Sequence, residues 1–481
     1  MTLAHIAAFT GLALVYGLLL PARLRGWAVL AISVIAVYWL QPALPVRYLD
    51  FALPTATLLL TTCVWWLTRP AGRGVTRDDG WTLALIGAIV LALALTRNLR
   101  ADLRLTASRP PDALVVAVVL ALIMAALLVV WQALHRLWPG AVLIVMMIAL
   151  VVLFVVQKAE PLAVATSALL RAQTGQQTNL AALTDLQWLG FSYLAFRLLH
   201  TLRDRQTGRL PALSLREYTA YALFFPALTA GPIDRAERFV ADYQALSQAR
   251  GLLPSRLVIG GTRISIGLLK KFVLADSLAL FALNPTNAAQ TSDAGALWVL
   301  LYAYAWRLFL DFSGYTDIAI GLGILFGVRL PENFDRPYLR QNITAFWQSW
   351  HMTLSNWVRF YVFSPLSRAL LQRRPRPSPL LVVFSAQVVT MLIIGLWHGV
   401  TLNFAIWGLW HGLGLFAHKV WSDHTRVQYM RLAGRPRLRM LWHVAGVVMT
   451  FHFVALGWVW FALPDTQAAL AVFARLFGIG R

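Results

Sequence analysis

The chain has 481 residues, of which 59% are hydrophobic and only 13% charged, and its mean hydropathy is +0.65. Soluble domains run to about 45–50% apolar and about 25% charged residues, so lipid is the solvent that accepts this excess of apolar surface. The net charge of +22 excludes little by itself, but its distribution argues against a nucleic-acid binder. The arginines stand in short loops between apolar runs, as in Arg23 and Arg25, Arg97 to Arg104, and Arg373, Arg374 and Arg376. Cationic loops of that kind orient spans and meet anionic lipid headgroups.

In chain order, Leu3 to Leu20 predicts a first span that is retained, since no basic segment precedes it and no small-residue cleavage site follows. Apolar runs recur near 27–41, 51–67, 81–96, 113–134 and 139–157, each bounded by Pro, Gly or Arg. Cys63 lies in one of them, and as the single cysteine it forms no intrachain disulfide and reads as a packed small residue. A less apolar stretch near 158–184, with Gln173, Thr174, Gln176 and Gln177, predicts a loop carrying a short interfacial helix. Apolar segments resume near 185–200, 215–230, 257–285, 295–328, 380–397, 402–420 and 440–462.

A span needs about 20 mostly apolar residues to cross about 30 Å of hydrocarbon, and unpaired backbone groups are too costly there for anything but helices or closed barrels. A barrel would alternate over short segments, whereas these runs are continuous. The expected fold is all-α, a polytopic transmembrane bundle of about 11–14 spans with re-entrant or interfacial helices. Arginine counting does not fix its orientation. If residue 1 is outside, the loop at 21–26 is inside as the positive-inside rule wants, but the Arg97–Arg104 loop then falls outside.

The two parts of the chain differ in character. Before about residue 180 the spans are plain Ala, Leu and Val, and residues 1–180 read as a scaffold. Beyond it, polar and ionisable residues enter the apolar runs, where they are costly and usually line a cavity or a pathway. Gly395-Leu396-Trp397-His398-Gly399 is the sharpest such signal, because His398 ends an apolar run, Leu380 to Trp397, that holds no charge. An imidazole that titrates at about 6.5 in water is suited to take a proton from an attacking hydroxyl. The spacing alone leaves this open against a hydrogen-bonded structural histidine, and favours the latter.

Phe346 to Trp357 is aromatic and polar at once. Trp347, His351 and Ser355 are spaced i, i+4, i+8 and predict one helical face, with Trp350 on a neighbouring one. Function and an aromatic belt account for it equally well. In Arg307 to Asp317, Arg307 and Asp311 are placed to pair along a helix, and Ser313 and Asp317 are likewise four apart, which reads as a bracing network. Ala230-Gly231-Pro232-Ile233-Asp234-Arg235 marks a sharp turn. His411, in Trp410-His411-Gly412, reads as packing. Lys270 and Lys271 are read as interface residues, with contact to a donor's phosphates as the other reading. No metal-ligand spacing, phosphate loop or nucleophile elbow stands out, so neither a metal nor a covalent acyl-enzyme is expected.

These pieces in this order resemble the membrane-bound O-acyltransferase family, and within it the bacterial proteins that acetylate alginate or D-alanylate teichoic acid. The matching residues are Gly231-Pro232-Ile233, the run Asp311 to Gly321, Pro331-Glu332-Asn333-Phe334-Asp335-Arg336-Pro337-Tyr338, Trp350-His351, Leu396-Trp397-His398-Gly399 and Trp407 to Gly412. The resemblance implies a catalytic core over residues 185–462, followed by a C-terminal segment at 463–481. It implies that His398 is the base and His351 the second active-site residue, both lining a central tunnel. Asp311, Ser313, Asp317, Trp350, Ser355, Trp397 and Asn403 are then expected to brace or line that cavity. The chain departs from the pattern at Gln348 and Ser349, where relatives carry a basic residue before Trp-His, and at Phe360 after Arg359.

The implied activity is transfer of a short acyl group, acetyl first, to a hydroxyl of a cell-envelope or exported glycan at a bacterial inner membrane. The donor would be acetyl-CoA or an acyl-carrier protein thioester, with no bound cofactor. An extracytoplasmic acyltransferase and a cytoplasmic carrier protein are the expected partners, beside the lipid bilayer and the glycan, and nucleic acid is not. D-alanyl transfer is the neighbouring reading. Two readings of other classes remain: a transporter or flippase of a glycan or lipid intermediate, disfavoured by the lack of an internal repeat, and a non-catalytic scaffold for a secreted transferase, in which His398 does nothing.

Overall fold

The computed structural model describes residues 1–70, 72–134, 139–248 and 253–479, so the last two residues of the expected C-terminal segment lie outside the described residues. The described residues form helices joined by turns, with no strand among them. Seven of these helices are long and apolar enough to cross a membrane: Ala22–Trp39, Leu49–Thr68, Arg77–Asn98, Gly140–Lys158, Ala294–Leu325, Pro379–His398 and Pro436–Ala462. Leu3–Leu19 and Ala113–Ala126 are shorter apolar helices. The all-α polytopic expectation therefore holds.

The chain divides into two compact units. The first is Met1–Ile264 with Ile318–Leu330, and the second is Ser265–Asp317 with Pro331–Arg481. Of the three switches from one unit to the other, two fall inside helices, Pro254–Leu268 and Ala294–Leu325, and the third in the loop at Leu330–Pro331.

In the first unit the helix starts at Thr2, Thr76 and Ser214 are set by short polar side chains that satisfy free N–H groups. Thr76 Oγ1 accepts from Asp79 N at 3.2 Å while the Asp79 carboxylate accepts from Thr76 N at 2.9 Å, a capping box at the head of the helix Arg77–Leu95. The other Asp79 oxygen accepts from Leu215 N at 2.7 Å, tying this helix to the next one it packs against. Two expected apolar segments prove shorter than a crossing. Residues 185–200 fall mostly in a 16-residue helix, Phe191–Gln206, that ends in Arg203 and Arg205, and 215–230 holds a nine-residue helix, Leu215–Leu223. The second stops at Leu223, where Phe224 leaves the α region (φ −48°, ψ 108°) and Pro226 has no N–H to give Ala222 O.

That break leaves carbonyls without helical partners inside the protein. Arg197, buried in the helix Phe191–Gln206, supplies them: it donates to Ala222 O at 2.7 Å and to Ala227 O at 2.8 Å, with longer contacts to Tyr221 O and Pro232 O. A planar guanidinium with five donors is the side chain suited to several carbonyls at once.

The stretch 158–184 contains the helix Glu160–Gln173 and two short 3₁₀ turns. It is fastened by a buried trio, in which Ser167 Oγ and Arg171 Nε donate to Asp185 Oδ2 at 2.6 and 2.8 Å. Burial alone would raise the Asp185 carboxyl, but the bonds from Arg171 and Ser167 overcome it and hold the group below its ordinary value. A depressed folded-state value means that this contribution is full above the unfolded value of about 3.9, and is lost as pH falls through the folded value. Arg171→Met is expected to cost about 3–5 kcal/mol, because it strands a buried carboxylate. The check is the thermal midpoint of the detergent-purified protein, whose deficit against wild type should narrow as the pH is lowered.

Candidate active site

The site lies in the second unit, at the end of a tight helical hairpin. Pro379–His398 starts on Ser378, whose hydroxyl accepts from Leu381 N, and Leu402–Arg431 starts on Thr401, which accepts from Phe404 N. The two helices meet backbone to backbone. A Cβ on Gly408 would lie 2.6 Å from Met391 O and 2.9 Å from Leu392 Cα, so only glycine allows this approach. Gly408→Leu is expected to destabilise by about 1–3 kcal/mol or more as the hairpin is wedged open. The melting temperature of the purified protein checks this.

His398 is the last residue of its helix and is half-buried in an aromatic box. Its ring centre is 4.5 Å from that of Trp397, 4.7 Å from Phe461, 5.6 Å from Trp407 and 5.9 Å from Phe404. His351 contacts the same tryptophan, with its ring 6.1 Å from Trp397 and 4.7 Å edge-on from Phe312. Trp397 thus touches both histidines.

His351 does not lie on one helical face with Trp347 and Ser355, as its spacing suggested. The helix Ile343–Trp347 ends, the chain turns, and His351 takes a left-handed conformation, φ 44° and ψ 52°, at the N-cap of Met352–Val358. Strain of this kind on a non-glycine residue is held in place by its neighbours and concentrates at functional sites. The ring is buried, and burial pushes its imidazole well below its ordinary value, which favours the neutral form. Its Nδ1 is 3.3 Å from Asn333 Oδ1.

The acids are partnered differently from expectation. Asp311 pairs with Lys271 rather than along its own helix with Arg307, and Asp317 accepts from Lys270 at 2.7 Å. Lys270 and Lys271 ride on a π-helical segment, Leu269–Ala275, which approaches Ala294–Leu325 at Gly314. A Cβ there would lie 2.8 Å from Gly267 O. Ser313 is buried one residue away from that glycine.

Of the other expected residues, Trp350 is packed among Phe334, Phe346, Tyr338 and Trp458, one ring removed from the His398 box through Trp458. Asn403 donates to Leu463 O at 3.0 Å and accepts from Thr466 at 2.7 Å, so it braces the turn before the last helix. Ser355 donates to Trp350 O at 3.1 Å and lines a cavity of about 210 Å³ with Trp347, Gln348, Met352, Arg359 and Gln387. Buried His411 accepts from Trp347 Nε1 at 3.3 Å.

Two groupings were not foreseen. Asn333 is one, since nothing in its spacing points at a histidine 18 residues on. The other, in the first unit, brings His200, Asp204 and Glu237 close enough to share a metal ion. The i, i+4 spacing of His200 and Asp204 was its signal. The Arg235 guanidinium reaches Glu237 at 2.8 Å and Asp204 at 3.5 Å, so a cation already sits between these carboxylates.

Comparison with known proteins adds an independent line. The model of the MBOAT, membrane-bound O-acyltransferase, family matches residues 123–457, well over half of the chain. A teichoic acid D-alanyltransferase of Streptococcus thermophilus is 33% identical over 285 residues, covering 58% of this chain and 68% of that protein. A protein named as a probable alginate O-acetylase of Pseudomonas aeruginosa is 33% identical, covering 61% of this chain and 52% of its own length. A peptidoglycan O-acetyltransferase of Helicobacter pylori is 34% identical, over 58% and 52% of the two chains. The match thus spans about two thirds of the first relative and about half of the other two.

Proposed function

This chain belongs to the membrane-bound O-acyltransferase family, and on that premise we propose that it moves a short acyl group, acetyl, from a cytoplasmic thioester to a hydroxyl of a cell-envelope or exported glycan. The transfer is direct or passes through an extracytoplasmic partner. The donor is acetyl-CoA or an acylated carrier protein. The observation that carries the reading is the pair of histidines in ring contact with Trp397, one half-buried at a helix end and one buried. His398 takes the proton of the acceptor hydroxyl as its oxygen attacks the thioester carbonyl, and the thiol leaves. His351 orients a reactant or stabilises the developing charge. The paired acids Asp311 and Asp317 hold the π-helical segment and brace the cavity.

A D-alanyl group is the second reading, favoured by the relative that bears that name. One experiment separates the two. Ester-linked acyl groups on envelope glycans are released and weighed from cells with the gene, without it, and with it restored. The proposal expects acetyl to disappear and return. Alanyl in its place selects the second reading, and no ester that follows the gene overturns both.

A further inference from the structure

Asn333 reaches His351 from a loop that is sewn to it. Met352 N donates to Asn333 O at 2.9 Å and Asp335 N donates to Ser349 O at 3.0 Å, so residues 333–335 and 349–352 are laced backbone to backbone. The Asn333 side chain is fully buried. Its Oδ1 accepts the Thr353 backbone N–H at 3.2 Å and the Thr353 hydroxyl at 2.6 Å, and stands 3.3 Å from His351 Nδ1. A backbone N–H can only donate, so the atom facing it is the amide oxygen and not the amide nitrogen. That oxygen can only accept, so His351 Nδ1 is the nitrogen that carries hydrogen. A neutral imidazole has one N–H, which leaves Nε2 with the lone pair.

We propose that Asn333 is a positioning residue that locks His351 in the Nδ1–H tautomer, with Thr353 fixing the orientation of the Asn333 amide. The role goes beyond packing, because Asn333 Nδ2 has no hydrogen-bond partner among the described residues. A buried donor left unsatisfied is a cost that a side chain kept only for its shape does not carry. The tautomer also decides between the two roles open to His351, and here the inference rests on the acyltransfer reading. With its lone pair at Nε2, the ring accepts a hydrogen bond from a hydroxyl or amide of a reactant. It cannot donate one from Nε2 to a developing oxyanion. His351 therefore orients a reactant, and the oxyanion must find its donors elsewhere.

The test is ¹⁵N-histidine spectroscopy of the full-length protein in lipid, with the His351 signals identified by their loss in His351→Gln. Wild type is expected to show hydrogen on Nδ1 and none on Nε2. Asn333→Leu should lose that preference, and Asn333→Asp, which keeps an acceptor oxygen at the same place, should retain it. Hydrogen on Nε2 in wild type, or an unchanged His351 signal in Asn333→Leu, overturns the proposal. On the activity side, Asn333→Leu should lower kcat by about 10–100-fold at unchanged donor KM, and Asn333→Asp should recover part of it. A loss that merely follows the amount of folded protein overturns the positioning role. Should His398→Ala prove fully active in the same assay, the acyltransfer reading falls, while the tautomer measurement still decides the matter for Asn333.

Discussion

His398→Ala is expected to lower acyl transfer by about 10²–10⁴-fold while the protein stays in the membrane at wild-type level, the range a single general base contributes. The ring projects from the last residue of its helix into a box of four aromatic side chains and is only half-buried, so its removal takes away little packing. His398→Gln separates the two readings that the residues leave open. Glutamine can hydrogen-bond in place of imidazole but cannot take up a proton at neutral pH. A base predicts that the glutamine variant is as inactive as the alanine one. A structural histidine predicts that glutamine is tolerated, and a loss of less than tenfold in either variant ends the catalytic assignment. Both variants are compared on purified protein at equal concentration in lipid, so that altered expression does not pass for altered chemistry.

The second large effect lies far along the chain from this chemistry. Arg197→Met is expected to destabilise the first unit by about 1–3 kcal/mol, the cost of leaving the Ala222 carbonyl unsatisfied, since Ala227 O still accepts from Gly231 N at 3.2 Å. Methionine fills much of the volume but offers no donor. The Ala222 carbonyl would then be buried without a donor at the end of the helix Leu215–Leu223. Since folded proteins are stable by about 5–15 kcal/mol, the expected reading is a sharp fall in the amount of intact protein in the membrane and in its melting temperature. Arg197→Lys should fall between the two, because one ammonium cannot reach carbonyls that a planar fork spans. A methionine variant that accumulates and melts like wild type would show that the Ala222 carbonyl finds another partner.

Much of the fold was legible because lipid thickness imposes a length on apolar runs. Runs such as 51–67, 81–96 and 380–397 become Leu49–Thr68, Arg77–Asn98 and Pro379–His398. The segment 215–230 misled because its apolar content was counted while Pro226 was not, and a span cannot pass through that backbone break. His398 was legible because an ionisable side chain ending an uncharged run is itself a signal. The turn at His351 was not. The i, i+4 spacing of Trp347, His351 and Ser355 is the same whether a helix runs through or resets, and no glycine or proline marks the reset. The partners of Asp311 and Asp317 were hidden for a different reason. Arg307 is near in sequence, but Lys270 and Lys271 lie 47 and 40 residues away, and only the close approach at Gly314 brings them in. Asn333 was hidden in the same way, within a loop whose motif was seen but whose side-chain target was not.

The way the chain passes between its two units bears on how it is made. The first unit is not finished at Ile264; it still needs residues 318–330. Gly321 from that late piece sits against Gly260, where a Cβ on Gly321 would be 2.7 Å from Gly260 O, and Tyr16 donates to Phe326 O at 3.2 Å. A ribosome that has delivered the first 264 residues has therefore delivered a unit with an open seam. The seam closes only after 53 further residues, all belonging to the other unit, have been synthesised. A nascent chain halted between these points should be bound by insertion factors and cut readily by proteases, and one halted beyond Leu330 should not. A gene divided at residue 264 should give no stable N-terminal fragment on its own.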